Sequence, residues 1–417
     1  MTAQGTPTIP TIPTTPVKQG VGGLLAIPAF SGVMVANVLS AIAFGTSRFV
    51  FVWLVGDLTD WNPATAILGI VLGMPPLLLS AWAGSLADRH DPRRLGIALF
   101  GISTVLFGIT AVVVSADAMT VPLAMVAAFI TSIAPSMLMP LLQALVPAIV
   151  PKAQLMQAVA IQNLGMMVST IAGVFLGGAI IQAFGIAAGF WLLAIACGLG
   201  VVRYSSTPLP TRHPGSGPNR QRAIRDGIRI GMGTEPLRSL MLLTSVFGLA
   251  IVTSTLLLPE FARDVLDRES LAASALNVFM SVGMMITSMV LATRWTPSRP
   301  GAVLTLITCT ALGGGLIAIG LSSTYLVTAL FCFGWGLSGG IAMTLLRTLV
   351  QVHTPPELMG RVMGLSAMAQ NGAFPIGSLM LFGLVSITSV GTTMVISGAI
   401  CTVAICLISL RPHIRSL

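Results

Sequence analysis

Apolar residues run along this chain in twelve long blocks, each close to the roughly 20 residues that an α-helix needs to cross the hydrocarbon of a bilayer. The blocks cover residues 25–55, 64–82, 95–114, 121–146, 155–181 and 186–202, then 240–259, 271–291, 302–321, 325–346, 362–385 and 390–410. Within each block the apolar residues are continuous. That predicts helices, because a membrane β-barrel alternates apolar and polar positions over about ten residues. Polar residues collect in the gaps, and the longest gap, 204–238, is basic and opens rich in Pro, Gly and Ser.

The long gap divides the blocks six and six, and the two sets repeat one another faintly. Leu145, Val146 and Pro151 match Leu349, Val350 and Pro355 at a shift of 204 residues, and Gly173 matches Gly377 at the same shift. A duplicated six-span unit produces such an offset. The predicted fold class is an all-α membrane protein of twelve transmembrane helices in two pseudo-symmetric six-helix bundles. The expected organisation is a disordered cytoplasmic tail at 1–24, bundles at 25–203 and 239–410, a cytoplasmic linker at 204–238 and a short cytoplasmic tail at 411–417. The first tail is rich in Thr and Pro, with Lys18 its only charge.

Composition strengthens the membrane reading. Of 417 residues, 55% are hydrophobic and 8% charged, and the mean hydropathy is +0.94. A soluble domain carries about 25% charged residues, enough to cover its surface. Orientation follows from the basic residues: 18 of the 21 Lys and Arg fall on one side of a twelve-span layout, and only Arg263 and Arg268 on the other. Positive charge stays on the cytoplasmic side, so both termini are expected inside, in a multi-pass protein of the plasma (inner) membrane. The remaining cation, Arg48, lies within a span. No basic helix or aromatic-interleaved basic patch accounts for the net charge of +9, so no nucleic-acid partner is expected. The five cysteines sit in apolar blocks without metal-ligand spacing, which points to packing rather than a metal. Neither of the two lysines stands in a phosphate-cradling loop, which excludes ATP-driven transport.

One gap carries a specific pattern. Gly84-Ser-Leu-Ala-Asp88-Arg89-His-Asp91-Pro92-Arg93-Arg94 follows the second block and resembles the loop signature of the major facilitator superfamily between spans two and three. Asp91 and Pro92 depart from that family's usual Gly and Arg. The Asp variant is similar to the drug-antiporter branch that includes macrolide and enterobactin exporters. Arg347, Gln351, Pro355, Glu357, Gly360 and Arg361 resemble the same branch's loop after span ten. The resemblance implies gating roles for Gly84, Asp88, Arg89, Arg93, Arg94, Glu357, Gly360 and Arg361, with Asp88 latching the inner ends of the two halves. Residues 172–178 in span five resemble the glycine-rich antiporter stretch, with Val174 in place of its proline. Small residues four apart there also suit close helix packing.

The resemblance also implies that spans one, four, seven and ten line the substrate cavity. Their polar members are Asn37 and Arg48, Ser132, Ser136 and Gln143, then Thr253, with Trp335 in span ten. An intramembrane charge is costly, so Arg48 is either functional or snorkels to the headgroups. Asn37 stands about three turns before it, on the same side of an ideal helix. Asp57, Asp60, Glu260 and Asp264 cluster at the outer ends of spans one and seven, where Glu260 and Asp57 are the candidates for proton coupling. The function expected is secondary active transport by a monomer, proton-coupled export of amphiphilic drugs or natural products, with multidrug resistance as the outcome. A dedicated siderophore or metabolite exporter and a lysolipid flippase are the alternatives. The expected partners are a small-molecule substrate, protons and the lipid bilayer, with no cofactor. An enzyme lacks paired carboxylates or a nucleophile constellation, and a channel lacks a charge ring or filter.

Overall fold

The computed structural model describes residues 21–59, 63–89, 91–151, 154–209, 235–293, 300–354 and 359–409. Most of the expected first tail, most of the linker and the last tail lie outside these, as do Asp60 and Glu357. Side chains at Asp88, Arg89 and Arg361 also lie outside the description, and so do the surroundings of Gly84 and Gly360.

After a short turn of helix, α1 (Val21–Leu25), come α2 (Pro28–Leu58), α3 (Pro63–Arg89), α4 (Pro92–Ser115), α5 (Val121–Ile149), α6 (Leu155–Phe184) and α7 (Ile186–Ser205). The second half holds α8 (Glu235–Asp264), α9 (Ser270–Thr293), a composite span, α12 (Tyr325–Val352), α13 (Met359–Val385) and α14 (Val390–Ser409). The composite span is α10 (Pro300–Ile307), a π-helical segment (Thr308–Gly313) and α11 (Gly314–Leu321). Among the described residues, ten helices are long and apolar enough to cross a membrane. The apolar parts of the other two, α3 and the composite span, are shorter: Pro63–Leu79 and Ala311–Leu321.

The starts and stops follow local chemistry. Asp91 caps α4 by accepting the Arg93 amide at 3.0 Å, and Pro92 takes the first helical position, where a missing N–H costs nothing. The two departures from the loop signature are therefore a helix start. Gly185 joins α6 to α7 alone, at φ 84°, a backbone that a side chain rarely adopts.

Each half repeats the same pairings. In the first, α2 packs on α5, α6 and α7, α3 on α5, and α4 on α7 and α5; in the second, α8 packs on α12, α13 and α14, α9 on α12, and the composite span on α14 and α12. The halves meet through α3 with α13 and α6 with α9, two crossings related by the same pseudo-symmetry. Within the second half the Trp335 indole donates to the Leu312 carbonyl at 3.0 Å, inside the π-helical segment. A π-bulge leaves backbone groups without their regular partners, and here a side chain from the neighbouring helix supplies one.

Glycines decide how near the backbones come. At Gly173 an added Cβ would stand 2.7 Å from the Ile42 carbonyl oxygen, and at Gly177 it would stand 2.6 Å from a Thr46 methyl, so two glycines of the 172–178 stretch seat α6 on α2. The third, Gly178, faces Ser274 and the Ser270 carbonyl across the seam to α9. Close packing thus accounts for all three.

Two predictions follow from these contacts. A Cβ at Gly336 would overlap the Met280 backbone, whereas Gly334, on the opposite face of the same helix, meets nothing within 4 Å. Gly336→Ala should cost roughly 1–3 kcal/mol, and Gly334→Ala should be neutral or gain up to about 1 kcal/mol; thermal unfolding in detergent compares them. At the seam, the Cβ position of Gly69 lies 3.1 Å from that of Ser378. Gly69→Cys with Ser378→Cys should therefore cross-link on mild oxidation and join two fragments cut within 210–234, a result read on a non-reducing gel.

Candidate functional site

The seam is tightest at the end where α2 stops and α3 begins, the far end from α2's start. There Gly56 of α2 accommodates the guanidinium of Arg263 from α8, and Gly69 sits against Leu256 and Ser378. Gly73 meets Phe374, with a would-be Cβ 2.7 Å from the phenylalanine Cβ. On the other crossing, Ser270 donates to the Gly178 carbonyl at 3.0 Å, and the Leu271 amide donates to the Gln182 side chain at 3.2 Å. Among the described residues α5 and α12 are not a packed pair towards the opposite end. Prolines inside three seam helices, Pro75 and Pro76 in α3, Pro259 in α8 and Pro375 in α13, leave those helices free to bend.

Glu260 lies next to Pro259 in this far-end seam. It is 3% exposed, and neither carboxylate oxygen has a hydrogen-bond partner. The Thr65 hydroxyl of α3 interacts with it without meeting hydrogen-bond geometry, and Arg263 and Asp264 are within electrostatic range. Arg263 is itself paired with Asp264 at 3.0 Å. The sequence places Glu260 at a helix end, where acids are normally solvated; here it is buried, with Thr65 of α3 beside it. Asp57 is exposed and lines a separate far-end cavity of about 610 Å³ with Trp53, Asp117, Gln182 and Glu269.

Arg48 reaches into the space between the halves. Its guanidinium carbon stands 4.8 Å from the Phe44 ring centre and 4.2 Å from that of Phe374, although α2 and α13 are not one of the packed pairs. It therefore points inward rather than snorkelling, and the aromatic partner in the other half had no sequence signal beyond its place in an apolar block.

The remaining cavity candidates are not gathered round Arg48. Asn37, expected on the same side, is fully buried and donates to the Gln162 carbonyl at 3.4 Å, because that level of α2 faces α6. Gln162 in turn donates to the Leu142 carbonyl at 3.3 Å, a buried polar link that the sequence reading missed. Thr253 and Ser136 are buried and bond carbonyls of their own helices, as does Ser132, while Gln143 is exposed. Trp335 is 1% exposed against the π-helical segment. Of the gating residues, Arg93 donates to the Ser205 carbonyl and so ties the start of α4 to the end of α7, helped by Tyr204, which donates to the Pro92 carbonyl at 3.1 Å. Arg94 is exposed.

The chain is 24% identical to macrolide efflux protein A of Streptococcus pyogenes over 389 residues, covering 90% of this chain and 94% of that one. It is 23% identical to the enterobactin exporter EntS of Shigella boydii over 376 residues, covering 86% and 85%. The fold is similar to the crystal structure of the nucleoside transporter NupG, at a TM-score of 0.78 and 11% identity over 91% of this chain and 98% of that one. A bacterial homologue of the lysosomal transporter Spinster gives 0.69 and 14% over 93% and 98%. The Major Facilitator Superfamily model matches residues 33–378. The chain belongs to that superfamily and is a membrane transporter, not an enzyme.

Proposed function

We propose that this transporter is a proton-coupled exporter of amphiphilic drugs or natural products, working by alternating access. Its two exporter relatives support the direction of transport, and their macrolide and enterobactin cargoes support the chemical class. Burial of Glu260 at the junction of the halves carries the coupling. Water reaches this carboxyl only when the far-end seam parts, so the motion that opens the seam also governs when Glu260 exchanges a proton. An ionised carboxylate is costly in a dry, unpaired site, which ties its protonation to the state of the seam. Asp57, exposed beside the neighbouring acidic cavity, is the route by which protons approach. Both termini are cytoplasmic in this reading, the far end is external, and the monomer is the working unit.

The decisive assay is cargo uptake into inverted membrane vesicles, with and without a protonophore. Glu260→Gln should abolish accumulation driven by the proton gradient while leaving cargo exchange at equal concentrations in place. Gradient-driven accumulation at the wild-type rate in this variant contradicts the coupling role. Asp88→Asn should keep cargo binding and slow turnover several-fold, since its proposed latch acts on the change between states; unchanged turnover in a normally folded variant removes the latch.

A further inference from the structure

We infer that the central space between the halves recognises an anionic group on its cargo, a carboxylate, phenolate or phosphate attached to an aromatic or otherwise apolar body, through the Arg48 guanidinium and the rings of Phe44 and Phe374. The inference rests on the transporter reading above and names the chemical class of its cargo.

Three observations converge. First, Arg48 has no protein partner for its charge among the described residues. Its side chain makes no hydrogen bond there and takes part in neither ion pair found among them, Arg238–Glu235 and Arg263–Asp264, and its half-buried position leaves its N–H groups open to a ligand. A guanidinium carries five N–H donors in one plane, and the two aromatic rings accept none of them conventionally. Such a group in a membrane interior needs a partner, and its planar fork matches a carboxylate or phosphate better than a point charge does.

Second, its position suits a ligand. Arg48 lies ten residues before the end of α2, about 15 Å below the far end, too deep to be one more surface cation. It is only partly buried, and it contacts Phe374 at the level where Gly73 closes the α3–α13 crossing. The contact therefore lies at the inner edge of the closed seam.

Third, the field in that region has one sign. The described acids stand at the far end (Asp57, Asp117, Glu260, Asp264, Asp267 and Glu269) or at the opposite surface (Asp91 and Glu235). Between them, a small cavity one turn beyond Phe374 is lined by Gln370, Ser366, Thr244 and a second cation, Arg347. Arg347 takes part in neither ion pair. A cationic amphiphile entering this space meets two arginines and no described carboxylate, whereas an anionic one meets two complementary charges and two aromatic faces.

The test uses two fluorescent amphiphiles of equal apolar size and opposite charge, 1-pyrenebutyrate and 1-pyrenebutylammonium. Their binding to the full-length protein in zwitterionic-lipid nanodiscs is read by energy transfer from its tryptophans. The wild type should bind the carboxylate at least tenfold more tightly than the ammonium. Arg48→Gln should remove most of that preference, Arg48→Lys should keep part of it, and Phe374→Leu should weaken both probes alike. Equal binding of the two probes by the wild type, or a preference unchanged in a folded Arg48→Gln variant, overturns the inference. Because the wild-type preference is itself decisive, the inference can fail even if Arg48→Gln does not fold. Nanodiscs containing phosphatidylglycerol separate the sources of the anion. Competition against pyrenebutyrate that disappears in Arg48→Gln supports the subsite and assigns its resting occupant to a lipid phosphate. Absence of competition supports a subsite reserved for soluble cargo. No proton gradient enters the measurement, so a failure of proton coupling leaves this result standing, and the reverse holds too.

Discussion

Lipid tails are as apolar as leucine, so nothing squeezes helices together inside a bilayer; they adhere only where backbones come close enough for dense contact. In this protein the halves come that close at a few glycines. Gly69 and Gly73 admit α13 against α3, Gly178 admits α9 against α6, and Gly56 admits the Arg263 side chain between α2 and α8. Because the two main crossings are related by pseudo-symmetry, one rocking motion can loosen both. The inside of each half adds its own polar links: Asn37 to Gln162, the Arg93 and Tyr204 contacts between α4 and α7, and Trp335 on the π-helical segment.

Charge is distributed to match. Acidic residues gather at the far end, Glu260 among them but cut off from solvent by the seam. Arg48 stands within its span beyond it, and the exposed Arg347 lines a small cavity further towards the opposite end. The carboxyl proposed to move a proton and the guanidinium proposed to hold a cargo therefore stand at different levels of the seam, Glu260 beside Thr65 near the far end and Arg48 against Phe374. That separation lets one conformational change act on two ligands without their competing for a single site.

Much of this was legible in the sequence. Continuous apolar blocks gave the helices, the 204-residue offset pointed to the duplication, and a cation inside span one marked Arg48. The sequence could not say which neighbour each residue meets, since crossing angles and seam depth are three-dimensional. Asn37 and Arg48 share a face of an ideal helix but face different helices at different levels of α2. Trp335 stood in a glycine-rich stretch that suited a cavity, yet a π-bulge with no composition signal claims it. Glu260 read as a proton-coupling candidate at a helix end; its burial beside Thr65 of α3 came only from the fold. Residues 172–178 carried the opposite ambiguity, and the close approaches of Gly173, Gly177 and Gly178 resolve it as packing. Asp91 and Pro92, departures from a loop pattern, are a helix cap and its first residue.

The central claim is that the far-end seam and the opposite end open in alternation. Spin labels at Ala118 and Ser323 report across the far end, and labels at Ala148 and Val352, which are pseudo-equivalent and exposed, report across the other. Pulsed electron resonance in nanodiscs, with cargo present and pH lowered stepwise, measures both distances. The account predicts that the Ala118–Ser323 distance lengthens by several ångströms in the conditions where the Ala148–Val352 distance shortens. Two distances that move together, or a far end that stays shut while cargo is transported, would contradict it.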